Sequence, residues 1–293
     1  MSHPRFPFKL VRGFVLMNPD GSRSGDGDSI RVTSPVVYDV NDRRVDFDFH
    51  LSRTTLSLPV RLLGIDTPEE TYTGSTIPGC SMPNLYRFGG SVPQQEPWGL
   101  RSKAFTDGFL KPGEPVTIEL DDRVFDRNQR LLGFAYRGEH VHPEQSLNLQ
   151  IIRAGWAMLY QIHPNLGHVE EYREAVSEAI REQRGLWPDV EDSRPLTVDE
   201  VERQTALNPP FVYRKVIDSF IAGVPTTLAF RRAGRWCGDS ETKLVYPPER
   251  WYAVPHPNRL FFERRQDAEQ LGYTAAPPVR GPRLRLRTTA PAI

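Results

Sequence analysis

The chain has 293 residues, of which 38% are hydrophobic and 25% are charged, and its formal net charge at pH 7 is zero. This composition indicates a globular protein with one large domain or two. No apolar run approaches the roughly 20 residues of a membrane-spanning helix, and no signal peptide is recognisable, so we expect no membrane segment and a cytoplasmic location. A chain trimmed at its N-terminus would read the same way, so secretion stays open. A net charge of zero does not attract nucleic acid to the protein as a whole, so any contact with phosphate must come from a local group of basic residues.

The two cysteines, Cys80 and Cys237, lie far apart and form neither a CxxC pair nor a zinc-ligand spacing. We therefore expect free thiols, as is usual in a reducing compartment. Four histidines have no further ligand at a telling distance along the chain, and we interpret them as surface or packing residues: His140, His142, His163 and His168.

The N-terminal part of the chain alternates short strand patterns with turn residues. The predicted strands cover residues 9–16, 30–32, 36–40, 45–51 and 56–65. Short strands with tight turns favour a small barrel or a sandwich. Between the first two strands, Gly25-Asp26-Gly27-Asp28-Ser29 is either a hairpin turn or a loop that brings a carboxylate to a hard cation. Taken alone, these residues favour the turn.

The last of these strands leads into the segment around which the chain is organised, residues 60–69. Its apolar residues alternate, which is the period of a strand with one buried face, so Arg61 points to the opposite face. Gly64 interrupts the pattern and predicts a bulge or a close backbone approach. The segment ends in Asp66-Thr67-Pro68-Glu69, where the proline stiffens the backbone between two carboxylates.

The middle of the chain is mixed. Residues 70–97 predict a long loop that either covers a site or is a neutral insertion. Helices are predicted at 98–110, 147–154 and 168–184, and strands at 116–120 and 130–136. Residues 156–160 are apolar and are predicted to pack in the core.

The C-terminal part predicts a separate, smaller unit after a linker at 191–195. We expect helices at 197–207 and 208–223, strands at 228–232, 243–246 and 259–262, and a helical turn at 267–271. The predicted domains are therefore residues 9–190, a small α+β domain at 191–276 and a basic tail at 277–293. The tail either follows phosphates or is simply solvated.

Several residues have the chemistry that phosphodiester hydrolysis needs. The attacking water requires a base, and the charge that develops on the phosphate requires fixed cations or a divalent metal with oxygen ligands. Arginine forks suit bidentate phosphate contacts. The candidates are Glu69 as base, Arg61 and Arg130 as phosphate-binding cations, and Asp28, Asp66 and the Thr67 carbonyl as metal ligands.

The same residues resemble, in order, the motifs of the staphylococcal nuclease (thermonuclease) family. The motifs are Asp26-Gly27-Asp28-Ser29, the segment 61–69, Trp98-Gly99, Arg130-Leu131-Leu132, Asn148-Leu149, Gly155-Trp156-Ala157 and Gly185-Leu186-Trp187. The resemblance runs from about residue 9 to 188. It implies an α+β fold, an OB-fold five-stranded β-barrel with three helices, and calcium-dependent cleavage of DNA and RNA. Another divalent cation stays open as the metal, and we expect a monomer.

Carried over residue by residue, the resemblance matches Asp28, Asp66 and the Thr67 carbonyl to the calcium ligands. It matches Glu69 to the general base and Arg61 and Arg130 to the two arginines on the scissile phosphate. The chain departs from the family at Asn128-Gln129, where Tyr-Gly usually precedes the second arginine, and in the long insertion at 70–97.

Two further readings complete the sequence analysis. The alternative to an enzyme is a catalytically inactive barrel of the same type that binds nucleic acid or protein. In the C-terminal part, Gly238-Asp239-Ser240, Phe261-Phe262 and Leu271-Gly272-Tyr273 resemble the small metal-binding module of the Ada DNA-repair protein, without its zinc-ligating cysteines. That likeness implies a metal-free packing or DNA-docking element.

Overall fold

The computed structural model of this chain describes residues 9–23, 25–49, 51, 56–68, 96–188, 194–195 and 234–278. The N-terminal strands are β1 (Leu10–Val15), β2 (Ser29–Tyr38), β3 (Arg44–Val45), β4 (Ser57–Leu62) and β5 (Gly64–Asp66). Helix α1 (Glu96–Phe109) is followed by β6 (Pro115–Glu119), β7 (Leu131–Arg137), α2 (Leu147–Arg153), β8 (Met158–Ile162) and α3 (Val169–Arg181). The C-terminal elements are β9 (Trp236–Asp239), β10 (Leu244–Tyr246), β11 (Arg259–Phe262), α4 (Arg265–Gln270) and β12 (Thr274–Ala275).

Five of these strands close into a barrel. Their hydrogen-bonded order is β1-β6-β7-β4-β2, and β2 pairs back with β1 to close the ring. All the pairs are antiparallel except β4 with β7, which are parallel. Closure leaves these strands without a free edge. The predicted α+β fold, an OB-type five-stranded barrel with helices packed around it, is confirmed.

The organising segment leaves the barrel at Gly64. Strand β4 ends at Leu62, and β5 pairs instead with β8, so that Gly64 lies opposite Tyr160 in a second sheet. Gly64 has a φ of +74°, and a Cβ atom there would lie 2.7 Å from the ring of Tyr172. Both the left-handed backbone and the close ring favour glycine. The predicted bulge or close approach is confirmed, but the predicted single strand at 56–65 is two strands in two sheets.

The second sheet joins the two predicted domains. Its order is β12-β10-β9-β11-β8-β5, and the contact across the predicted boundary is the parallel pair β8–β11, with Leu260 opposite Gln161. One continuous core contains barrel residues such as Val60 together with Trp251 and Phe261 from the C-terminal part. Trp187 is fully buried, with its ring 4.7 Å from that of His256. The division at residue 190 stays a prediction, and the sheet runs across it.

Other element predictions differ in detail. Strand β2 joins the two predicted strands at 30–32 and 36–40. Of the described residues in the predicted strand at 45–51, only Val45 lies in a strand, β3. The apolar segment 156–160 contributes β8, and β9 had no counterpart in the sequence analysis. Helix α1 begins at Glu96, inside the predicted loop. The predicted helices at 197–207 and 208–223 and the strand at 228–232 lie outside the described residues, as do Cys80 and residues 279–293 of the tail.

Two smaller expectations can be compared with the structure. Cys237 is a free, fully buried thiol, and burial raises its pKa to about 12. None of the helices in the described part of the chain is long and apolar enough to cross a membrane. The cytoplasmic location stays a prediction.

Candidate active site

Three charged side chains from separate segments meet where β4 gives way to β5. Asp28 comes from the loop before β2, Arg61 from β4 and Asp66 from the end of β5. One guanidinium nitrogen of Arg61 is in direct ion-pair contact with Asp28 Oδ1, and the other lies 2.5 Å from Asp66 Oδ1. Both aspartates are buried, with exposed fractions of 2% and 0%, and the Arg61 side chain is 14% exposed. Two buried carboxylates therefore share one cation.

Backbone hydrogen bonds fix this arrangement. The second oxygen of Asp28 accepts a hydrogen bond from the Thr67 amide at 3.0 Å, and the Asp28 carbonyl accepts one from the Leu62 amide at 2.9 Å. Arg61 also donates to the Ile65 carbonyl at 3.3 Å. Because these bonds span the bend at Gly64, the four predicted residues Asp28, Arg61, Asp66 and Thr67 lie together.

Helix α1 packs against the loop that carries Asp28. Thr106 donates its hydroxyl to the Gly27 carbonyl at 2.8 Å. A Cβ atom on Gly27 would lie 2.7 Å from Thr67 Oγ1 and 3.0 Å from Ser102 Cβ. The loop that carries Asp28 is therefore pressed between α1 and the residue after β5, and only glycine fits at position 27.

A buried arginine holds the same loop from its other side. Arg23 is 3% exposed, and its guanidinium donates to the carbonyls of Ser29 at 2.8 Å and Asp26 at 2.6 Å. Its Nε donates to Asp107 Oδ1 on α1 at 2.7 Å. Arg23 thus ties the loop of residues 25–29 to the helix. The segment is an ordered carboxylate-bearing loop, where the residues alone had favoured a simple turn.

Arg130 lies on the neighbouring strand but has its own partner. It directly precedes β7, whose parallel register with β4 sets Leu131 opposite Val60. Its Nε donates to Asp126 Oδ2 at 2.7 Å, and its amide donates to Asp126 Oδ1 at 2.9 Å. Its side chain is 36% exposed. Within the described residues, the Arg130 side chain thus bonds Asp126 and does not join the Arg61 cluster.

The third predicted acid, Glu69, lies outside the described residues, one position beyond the last described residue of this segment, Pro68. Within the described ranges, no three His, Cys, Asp or Glu side chains group closely enough to hold a metal ion. Asp28 and Asp66 supply two carboxylates, and the predicted Thr67 carbonyl is a third oxygen of the same hard type.

Sequence reasoning missed several residues that support the site. Arg23 sits among turn residues, and no neighbouring residue in the sequence indicates its burial. Its partner Asp107 lies 84 positions away. Ser102 and Thr106, four residues apart on α1, are fully buried polar residues, and this spacing is a signal that could have been noticed. Asn148 was identified only as part of a motif. Its side chain bonds the Leu63 carbonyl at 2.8 Å and the Ala135 amide at 2.9 Å.

A second ionisable cluster lies where α3 begins. His168 contacts Glu119 at 3.0 Å and Glu171 at 2.7 Å, and Tyr136 donates its hydroxyl to Glu119 at 2.8 Å. The hydrogen bond to Glu119 is the main reason why the pKa of His168 is raised, against the opposing effect of burial. Although burial opposes it, the hydrogen bonds from His168 and Tyr136 lower the pKa of Glu119. The cluster is an internal ion pair, as expected for a packing histidine.

Comparison with known proteins identifies the barrel. Residues 59–189 match the family described as staphylococcal nuclease homologue. The chain is also 26% identical over 240 residues to a Bacillus subtilis (strain 168) protein named Endonuclease YhcR. The match covers 79% of this chain but only 16% of that relative's length. The resemblance of residues 238–273 to the Ada module stays a prediction. Residues 59–189, which include β6, β7 and the Arg61–Asp66 pair, are therefore a domain that matches the staphylococcal nuclease family.

Proposed function

We propose that this protein is a divalent-cation-dependent endonuclease that hydrolyses phosphodiester bonds of DNA and RNA, with Ca²⁺ as its metal. The proposal is supported most directly by the burial of Asp28 and Asp66 around the Arg61 guanidinium. Burying two carboxylates with only one cation costs free energy. Arrangements of this kind cluster at functional sites, where the excess negative charge can bind a cation. The family match of residues 59–189 and the endonuclease name of the Bacillus relative point the same way.

The donor chemistry of the site fits a hard cation. Asp28 and Asp66 offer carboxylate oxygens and Thr67 offers a backbone carbonyl, which are the ligand types that Ca²⁺ takes. Proteins of this family typically depend on a divalent cation. The two aspartates and Arg61 together have a net charge of −1. A bound divalent cation would supply positive charge to the oxygens of a phosphate placed beside it.

The protein's own residues would do the remaining chemistry. Glu69 follows Pro68 directly and is the proposed base that takes a proton from the attacking water. The water oxygen bonds to phosphorus while the bond from phosphorus to the leaving oxygen breaks. Arg61 and Arg130 would donate to the phosphate oxygens as charge develops there. Leu132 lies opposite Arg61 in the pairing of β7 with β4, and Arg130 lies two residues before Leu132. An extended backbone at residue 130 would direct the Arg130 side chain to the face that Arg61 occupies.

Arg61 is held in place before any substrate arrives. Its contacts with Asp28, Asp66 and the Ile65 carbonyl fix its guanidinium on the bend at Gly64. A donor that is already oriented loses little freedom when the charge on phosphate develops. The substrate in this proposal is a DNA or RNA strand, and a single subunit suffices because every proposed group belongs to one chain.

The direct test is a cleavage assay of single-stranded DNA and RNA with Ca²⁺ and with chelator. The wild type is expected to cleave with Ca²⁺ alone, and Asp66→Asn is expected to lose both cleavage and calorimetrically measured Ca²⁺ binding. Cleavage that persists in chelator would contradict the proposed metal dependence. If no cation supports cleavage, the inactive nucleic-acid-binding or protein-binding barrel is the remaining interpretation.

A further inference from the structure

Two tryptophans and an arginine form a patch beside the first turns of α1, where Trp98 and Arg101 lie on the helix and Trp156 lies just before β8. The Arg101 guanidinium lies 5.4 Å from the ring centre of Trp98 and 5.7 Å from that of Trp156. Both indoles are half-buried, and Arg101 is exposed. Among the described residues, no carboxylate lies within ion-pair distance of Arg101. We call these three side chains the indole patch.

The indole patch is attached to the candidate active site by short bonds. Ser102 donates its hydroxyl to the Trp156 carbonyl at 2.7 Å and lies 3.0 Å from the Trp98 carbonyl. The same Ser102 side chain packs against Gly27, beside Thr67. The buried Ser102 side chain therefore lies between the main chain of the two tryptophans and the loop that carries Asp28.

We propose that the indole patch is a stacking subsite for an unpaired base of a single-stranded nucleic acid whose backbone enters the active site. This inference rests on the proposed nuclease function. An indole face stacks on any base, and such stacking makes a large, sequence-tolerant contribution to single-strand binding. Arg101 adds a cation that attracts the adjacent phosphate and can stack on a base itself.

The arrangement selects an unpaired base over a duplex. In a duplex the base faces are already covered by their neighbours, so an indole gains contact only when a base is free. Both indoles are partly buried and pack against the main core, which restricts their motion. A rigid aromatic surface loses little conformational entropy when a base settles on it. The proposed occupant is therefore a single unpaired base of a nucleic-acid strand.

Fluorescence anisotropy in chelator measures this binding without cleavage. The probes are a fluorescein-labelled twelve-nucleotide thymidine strand and an abasic strand of the same length. We expect the wild type to bind the thymidine strand about tenfold more tightly than the abasic strand. Trp98→Leu and Trp156→Leu should reduce that ratio to nearly one, because the variants keep the phosphate contacts that both strands make and lose the stacking that only the thymidine strand makes.

Arg101→Gln is the second variant, because Arg101 is exposed and its replacement does not threaten folding. It should weaken binding of both strands and lower the base preference. The matched control is Arg137→Gln, which removes an arginine 5.0 Å from the ring of Phe109 at the other end of the same helix. That control should keep the wild-type preference.

The outcomes separate the two proposals. A wild type without base preference, or a folded Trp98→Leu protein that keeps the full preference, overturns the stacking subsite. A wild type that prefers the thymidine strand but cleaves neither DNA nor RNA with any divalent cation keeps the subsite and overturns the nuclease function. Circular dichroism of each variant confirms that the fold is retained.

Discussion

Arg61 bonds to Asp66, five residues further along the chain, across the bend at Gly64, with 2.5 Å between Nη2 and Oδ1. The bend moves the chain from the barrel into the second sheet, and it turns the Asp66 carboxylate back towards β4. The geometry of the charged cluster therefore depends on one glycine, and substitutions at that glycine should change both stability and the site.

Gly64→Ala is expected to lower the free energy of unfolding by about 2–5 kcal/mol. A left-handed residue with a side chain costs about 1–2 kcal/mol, and overpacking against the Tyr172 ring costs about 1–3 kcal/mol. Gly138→Ala is the matched control, because its φ is +84° but no atom lies within 4 Å of the added Cβ. Urea unfolding measures both. Equal losses for the two variants would show that the ring contact is unimportant.

Arg23 should act as a positioning residue for Asp28. Arg23→Met leaves the carbonyls of Asp26 and Ser29 without their donor, and each such loss costs about 1–3 kcal/mol. Ca²⁺ affinity should fall about 10–100-fold, as is typical when a partner that orients a ligand is lost. Calorimetric titration of the folded variant measures this affinity.

The control for Arg23 is Arg127→Met, because the Arg127 side chain is 89% exposed and its contact with Glu263 is 3.6 Å long. We expect this control to keep the wild-type Ca²⁺ affinity. Unchanged affinity in a folded Arg23→Met protein would mean that the loop of residues 25–29 holds its shape without the buried guanidinium.

The Glu119–His168 pair should make stability depend on pH in a defined window. The pKa of His168 is raised above its ordinary value of 6.5, so its contribution is complete below that pH and is lost as pH rises through the raised pKa. The pKa of Glu119 is lowered below 4.5, so its contribution is complete above that pH and is lost as pH falls through the lowered pKa. The pair therefore contributes most between pH 4.5 and 6.5.

His168→Gln is expected to flatten the alkaline side of this profile, measured as the free energy of unfolding from pH 4 to 9. The control His140→Gln removes an exposed histidine and should leave the profile unchanged. A wild-type slope above pH 6.5 that survives His168→Gln would assign the pH dependence to another group.

The shared sheet predicts that the barrel and the C-terminal part unfold together. Phe261 is buried in the main core and its strand pairs with β8, so Phe261→Ala should destabilise the whole described structure by about 3–5 kcal/mol. Calorimetry should show one transition that moves to lower temperature as a unit. Leu271→Ala, at a 44% exposed position, is the control. Two separate transitions, with only one shifted, would support independent domains on either side of residue 190.

The sequence predicted those features that local pattern determines. Period-two alternation and turn residues predicted a small barrel or a sandwich, and the family resemblance selected the barrel. The compact segment 61–67 contains two of the three residues of the charged cluster. The sequence did not reveal that β5 pairs with β8 in the second sheet and not with the barrel strands. The apolar alternation looks the same before and after Gly64, so it predicted one continuous strand. Strand β8 was missed since a short apolar run does not distinguish a strand from other buried structure. The burial of Arg23 depends on a distant partner, which local composition cannot show.

The central claim is that Glu69 is the base of a working nuclease. The most direct test is the single-turnover rate of single-stranded DNA cleavage in Ca²⁺ for the wild type, Glu69→Gln and the neighbouring control Glu70→Gln. We expect Glu69→Gln to be slower by about 10²–10⁴-fold, while Glu70→Gln cleaves at nearly the wild-type rate. Equal rates for the wild type and Glu69→Gln would contradict the account.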